Sequence, residues 1–98
     1  MGGVADILKP GGQLIGRVGK SPGVREVVGT ADDAQALFNQ LARGGNIRPH
    51  PKAPGGKLAD LPGGGTVGFR ASSKSGPPTV DINIPGFDGL KKIKFVPK

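Results

Sequence analysis

From Thr66 to Val96 the chain alternates between apolar and polar residues. In Thr66–Arg70, Val67 and Phe69 are set between Thr66 and Arg70; in Thr79–Ile84, Val80, Ile82 and Ile84 interleave with Thr79, Asp81 and Asn83. In Lys91–Val96, Ile93 and Phe95 interleave with Lys92 and Lys94. Successive side chains of a strand point to opposite faces, so this period of two predicts three strands that share one apolar face and one polar face. A slip of one residue would exchange the faces, which specifies the register strongly. A further strand, Lys57–Leu61, is separated from Thr66–Arg70 by "PGGG", the composition of a hairpin turn.

One stretch has the helical period instead. In "TADDAQALFNQLARGG", Ala34, Leu37, Phe38 and Leu41 stand at i, i+3, i+4 and i+7, the stripe of a helix that covers something. Thr30 suits the N-cap, with Asp33 three residues on closing a capping box. Asp32 and Asp33 complement the positive end of the helix dipole and Arg43 the negative end, and Gly44 and Gly45 stop the helix. The spacing therefore predicts a helix over 30–43. Residues 1–29 read as irregular, with short extended candidates at Gln13–Val18 and Val24–Val28. The stretch holding Pro49, Pro51 and Pro54 reads as a loop.

The expected fold class is α+β: a small antiparallel sheet of about four strands within 57–96, with one amphipathic helix on its apolar face, in a single domain over 1–98. Each large side chain fully buried between helix and sheet contributes roughly 1.5–3 kcal/mol. The strand and helix residues named above then make a thin but sufficient core.

Composition changes this picture in two ways. The 19 Gly and 10 Pro crowd into 1–29, 44–65 and 76–89, which predicts long loops around the periodic segments rather than general disorder. Fourteen Lys and Arg against seven Asp and Glu give a formal charge of +7, which points to a polyanionic partner: nucleic acid, an anionic membrane or an acidic protein. A membrane-spanning segment is not expected, since no run approaches ~18 apolar residues. Cysteine is absent, which excludes disulfides and thiolate chemistry. The start "MGGVADILKP" has neither the basic region nor the apolar run of a secretory signal.

The polar face carries Thr66, Arg70, Thr79, Asp81, Asn83, Lys92 and Lys94, with the loop Ser72–Ser75 at its edge. A metal-dependent nuclease needs converging carboxylates or histidines, whereas these strands offer one Asp and the whole chain one His. A serine triad needs a His ordered by a carboxylate beside the nucleophile, an arrangement no stretch of this chain spells out, and "PGGGTVG" lacks the G-K-[ST] ending of a P-loop. Four Phe, without Tyr or Trp, leave few aromatics for base stacking.

Metal-free RNA cleavage asks for less: a group to take the proton of the 2′-hydroxyl, one to protonate the leaving 5′-oxygen, and cations or hydroxyls around the phosphorane. Arg70, Lys74, Lys94 and Thr79 suit the last role. His50, in "RPHPK" between Arg48 and Lys52, is the obvious proton-transfer group. Two other readings of the same residues stay open: an ordinary solvated sheet face, and a basic module that binds RNA or an acidic protein without catalysis.

The stretch "KLADLPGGGTVGFRASSKSGPPTVDINIPG", followed by "KKIKF", resembles the C-terminal toxin domains of bacterial polymorphic and contact-dependent inhibition proteins. It is similar in particular to those of the barnase–EndoU–colicin–RelE group of metal-independent ribonucleases. The resemblance extends over about residues 10–98 and is most specific from Leu61 to Phe95. It implies a helical N-terminal part, a four-stranded antiparallel sheet and catalytic groups on the sheet's open face. It also implies a cut in RNA, often tRNA, in the cytoplasm of a target cell, delivery as part of a larger secreted or cell-surface protein, and a cognate immunity protein, acidic on charge grounds.

Together these readings nominate His50, Arg70, Lys74 and Thr79 as catalytic and Arg48, Lys52, Ser73, Ser75, Asn83, Lys92 and Lys94 as substrate-binding, with no metal and no cofactor. Several members of the group use two histidines; with His50 alone, the second proton-transfer group here has to be a Lys, an Arg or a hydroxyl.

Overall fold

The computed structural model describes residues 4–51, 55–71, 77–87 and 89–97, apart from the side chains of Val4, Ala5 and Pro10. The strands are β1 (Arg17–Val18), β2 (Val24–Val28), β3 (Asn46–Pro49), β4 (Lys57–Asp60), β5 (Thr66–Arg70), β6 (Thr79–Asn83) and β7 (Lys92–Val96). The main helix is α2 (Ala31–Leu41), preceded by a five-residue helix α1 (Val4–Leu8) and a 3₁₀ turn at Pro10–Gly12. The seven strands form one sheet in the order β1-β2-β7-β6-β5-β4-β3.

The architecture is α+β, with one main helix on one face of the sheet. Two expectations are corrected. The sheet has seven strands rather than about four, and it is mixed rather than antiparallel, because β2 and β7 pair in parallel, Val24 opposite Lys92 through Val28 opposite Val96. The extra strands come from segments read as irregular or as loop. β1 is two residues long, too short to show a period. β2 carries a charge, Arg25, at the position opposite Ile93, on the helix side of the sheet, which breaks its alternation. β3 is exposed throughout and ends in Pro49, a residue that sheets accept at an edge, where its missing N–H is not needed.

The helix begins as its sequence predicts. Thr30 N donates to Asp33 Oδ2 at 2.8 Å and Asp33 N to Thr30 Oγ1 at 3.3 Å, so the capping box is closed. It ends two residues before the expected 43, with Ala42 as C-cap and Gly44 in the left-handed region at φ +79°. Ala34, Phe38 and Leu41 are buried against β5, β6 and β7, and the Phe38 ring meets Phe69 at 6.3 Å between centroids. From the strands the core takes Ala59, Val67, Phe69, Val80, Ile82, Ile93 and Phe95, all on the helix side. Every apolar strand position expected to face the core does so.

The N-terminal segment closes one end of this core. Leu8 is fully buried, and Ile7, Leu14 and Ile15 pack beside it. Arg25 ties the segment down: its Nε donates to Ile15 O at 3.0 Å, and its Nη2 to Leu14 O at 3.2 Å and Gly16 O at 2.8 Å. A guanidinium carries enough donors in a rigid fork to satisfy several carbonyls at once, which is how a charge is tolerated on the covered side. At the other end the β4–β5 turn closes through Leu61 N–H to Gly65 O at 3.0 Å. Gly65 sits at φ +88°, and a Cβ there would come within 2.5 Å of Asn83 O, so this turn requires glycine.

Candidate nucleic-acid interface

The face turned away from α2 is built in rows, because directly paired residues in a sheet share a face. One row runs Arg70–Thr79–Lys94–Glu26–Arg17 across β5, β6, β7, β2 and β1. The next runs Arg48–Leu58–Gly68–Asp81–Lys92–Val24, and a third pairs Thr66 with Asn83. Neighbouring strands lie about 4.8 Å apart, so the first row is roughly 19 Å long. Of the nominated residues, Arg70, Thr79, Lys92 and Lys94 are thus brought together, with Asn83 at the end of β6 and Arg48 on the far edge strand. Lys52, Ser73, Lys74 and Ser75 lie outside the described residues.

His50 follows β3 directly. Its N–H donates to Gly56 O at 3.1 Å, carrying the β3–β4 register one residue beyond the strand ends. By the same register Gly56 falls beside Arg70, so His50 stands two strands from Arg70 at the end of the first row opposite Arg17. That separates the two backbones by about 10 Å. His50 is half-buried.

Charge on this face is largely paired. Arg70 grips Asp81 with two bonds, Nε to Oδ2 at 3.0 Å and Nη2 to Oδ1 at 3.1 Å. Arg48 reaches Asp60 the same way at 3.2 and 3.4 Å, and Arg17 Nε lies 3.3 Å from Glu26 Oε1. Among the described residues, no carboxylate is within ion-pair distance of Lys92 or Lys94. The described strand residues of the face carry five cations (Arg17, Arg48, Arg70, Lys92, Lys94) and three carboxylates (Glu26, Asp60, Asp81). The surplus is two positive charges, equal to that of Arg70, Lys92 and Lys94 against Asp81 in the strand pattern, but spread over a wider face.

Thr79 is fully buried, and its hydroxyl donates to Pro77 O at 3.0 Å. It holds the approach to β6 and offers no hydroxyl proton to a ligand in this arrangement. Arg70, by contrast, is partly exposed, and its pair with Asp81 fixes the plane of the guanidinium while leaving Nη1 as a donor.

A second feature was not legible from the strand pattern. Beside the Glu26–Lys94 step of the first row lies a hollow of about 250 Å³, bordered by Lys20, Ser21, Val24, Glu26, Lys94 and Val96. The Glu26 side chain is only 18% exposed, against 66% for its partner Arg17. The signal that could have found it is the "VREVV" stretch itself, which puts Val24 and Glu26 two apart, on one side of a strand.

Among the described residues, no three His, Asp or Glu side chains converge to hold a metal ion, and no helix is long and apolar enough to cross a membrane. Family models, curated proteins and solved structures give no match to this chain, so a functional reading stands on the face itself.

Proposed function

We propose that the chain is a metal-independent endoribonuclease domain that engages RNA on the open face of its sheet. The observation that carries this reading is the row Arg70–Thr79–Lys94 with Lys92 beside it, a positively biased strip on one pleated surface, two of whose cations have no carboxylate partner among the described residues. Phosphate contacts from such cations supply the sequence-independent part of RNA binding. In the reaction, a base removes the 2′-hydroxyl proton, O2′ attacks phosphorus, and the P–O5′ bond breaks as O5′ is protonated. The products are a 2′,3′-cyclic phosphate and a 5′-hydroxyl. His50 serves as a proton-transfer group, and Arg70, held in plane by Asp81, faces the charge that develops on the phosphorane. Lys92, Lys94 and Asn83 hold the strand.

With the toxin-domain resemblance, the reading extends to an antibacterial domain directed at tRNA. Delivered within a larger secreted or surface protein, it acts in the target cytoplasm and is blocked by an acidic immunity protein. The test is to incubate the purified domain with total bacterial RNA in chelator and map the new ends. Cyclic phosphate termini support the proposal. Cleavage that stops in chelator and returns with Mg²⁺ refutes the mechanism.

Three observations favour a second reading, in which the face binds RNA or an acidic protein without catalysis. Thr79 is buried, Arg70 is already paired, and His50 stands two strands away from it. Intact RNA after long incubation, with binding that weakens steeply with salt, selects this alternative.

A further inference from the structure

The hollow beside Glu26 has the polarity of a base pocket rather than of a phosphate site. A site for phosphate alone gathers donors and cations; here a mostly buried carboxylate lines the hollow, next to Lys94 in register, with the exposed Lys20 and Ser21 also on its border. The remaining wall is apolar, formed by Val24, Val96 and Pro77. Its volume of about 250 Å³ falls just below the range of about 300–1,000 Å³ typical for drug-sized ligands, which suits a single heterocycle.

We infer that this hollow selects guanine, as the nucleobase subsite of the RNA-engaging face, a role that rests on the reading proposed above. The argument is one of matching edges. The Watson–Crick edge of guanine presents one acceptor, O6, followed by two donors, N1–H and N2–H. A carboxylate flanked by an ammonium presents two acceptors and a donor in the complementary order. Glu26 accepts from N1–H and N2–H while Lys94 donates to O6. Uracil, cytosine and adenine each match this pair with fewer bonds, since none carries two adjacent donors beside an acceptor on that edge. Arg17 occupies a site on Oε1 at 3.3 Å, and among the described residues Oε2 has no partner; a carboxylate has about four acceptor positions, so the Arg17 contact orients it without exhausting it. The aliphatic walls accept the faces of the ring, and Lys20, exposed at the mouth, reaches the phosphate of the same nucleotide.

The position in the sheet gives the subsite its place on the substrate. Glu26 and Lys94 continue the row that holds Arg70, with Thr79 between Lys94 and Arg70. Arg70 is therefore two strands from Lys94, about 10 Å. A guanine seated in the hollow delivers the backbone next to it toward Arg70, and the scissile phosphate is adjacent or nearly adjacent to the selected base.

The experiment titrates the intact domain with 5′-GMP, 5′-AMP, 5′-CMP and 5′-UMP in parallel, following backbone amide shifts by NMR. The expected result is binding of GMP at least about tenfold tighter than the other three, the lower part of what one bidentate base contact contributes, with shifts centred on Val24, Glu26 and Lys94. In the Glu26→Gln variant the preference collapses to within about twofold while weak binding to all four persists. Equal affinities in the wild-type protein, or GMP shifts elsewhere on the molecule, overturn the inference and need no variant to do so. Mapping of cleavage ends separates the two proposals. Cuts with no bias toward guanosine refute the pocket and leave the ribonuclease reading standing; selective GMP binding with intact RNA refutes the ribonuclease and leaves the pocket.

Discussion

The two ends of the open face are built differently. At the β3–β4 end, Arg48 and Asp60 are both about half exposed and bound to each other, and His50 sits on the edge strand's continuation. At the β2–β7 end, Glu26 is mostly buried, Lys94 is half-buried beside it, and a hollow opens between the β1–β2 turn and β7. Exposed ion pairs of the first kind contribute about 0–1 kcal/mol and are screened by salt. Partly desolvated groups of the second kind interact more strongly with one another and with a ligand that displaces water. Residue types direct attention to His50; burial and concavity direct it to Glu26 and Lys94. Under the proposed function the two ends would divide the work: proton transfer near His50, selection and anchoring near Glu26, with Arg70 between them.

That division is breakable. The largest effect expected is on the chemistry: His50→Ala lowers the rate of cleavage of a defined RNA by about 10²–10⁴-fold, the usual contribution of a positioned acid or base, with binding little changed. Full activity in that variant removes His50 alone from the proposal. Next comes the scaffold of the β2–β7 end. Arg25→Met deletes three bonds from a guanidinium to the carbonyls of Leu14, Ile15 and Gly16. The expected loss is about 1.5–3 kcal/mol in a urea melt, the scale of one bond to a charged group, because part of the segment re-solvates. A smaller change separates the two ends by binding. Lys92→Ala weakens affinity for single-stranded RNA severalfold and flattens the log–log salt dependence by about 0.7, the signature of one lost phosphate contact. Arg48→Ala, whose charge is already met by Asp60, leaves that slope nearly unchanged. The smallest effect is the stability of the same Arg48→Ala protein, within about 1 kcal/mol of the wild type by thermal or chemical melt.

The face was legible where alternation was long and uninterrupted. β5, β6 and β7 each place two or more apolar residues at period two, which puts Arg70, Thr79 and Lys94 on one face; their alignment in a single row comes from the strand pairing itself. β2 was legible only as an extended candidate, because Arg25 stands where an apolar residue would keep the pattern; what makes its position acceptable is a set of carbonyls ten residues away, which no local period reports. The parallel pairing of β2 with β7 is hidden for the same reason, since it joins segments more than sixty residues apart. β3 escaped because its proline, the prolines that follow it and its exposure leave no apolar face to detect. Within the site, the residue types were readable, but two states were not. The burial of Thr79 and the occupation of its hydroxyl depend on the chain before β6 turning back at Pro77, and the bidentate hold of Asp81 on Arg70 depends on a cross-strand diagonal. Both facts alter what each side chain has left to offer a ligand.

The central claim is tested most directly by mixing the folded domain with a defined single-stranded RNA in EDTA and resolving the chemistry of the new termini over time. The account predicts fragments ending in 2′,3′-cyclic phosphate with matching 5′-hydroxyls, formed at a rate that chelator does not change. RNA that stays whole in EDTA, or fragments that end in a 5′-phosphate, would contradict it.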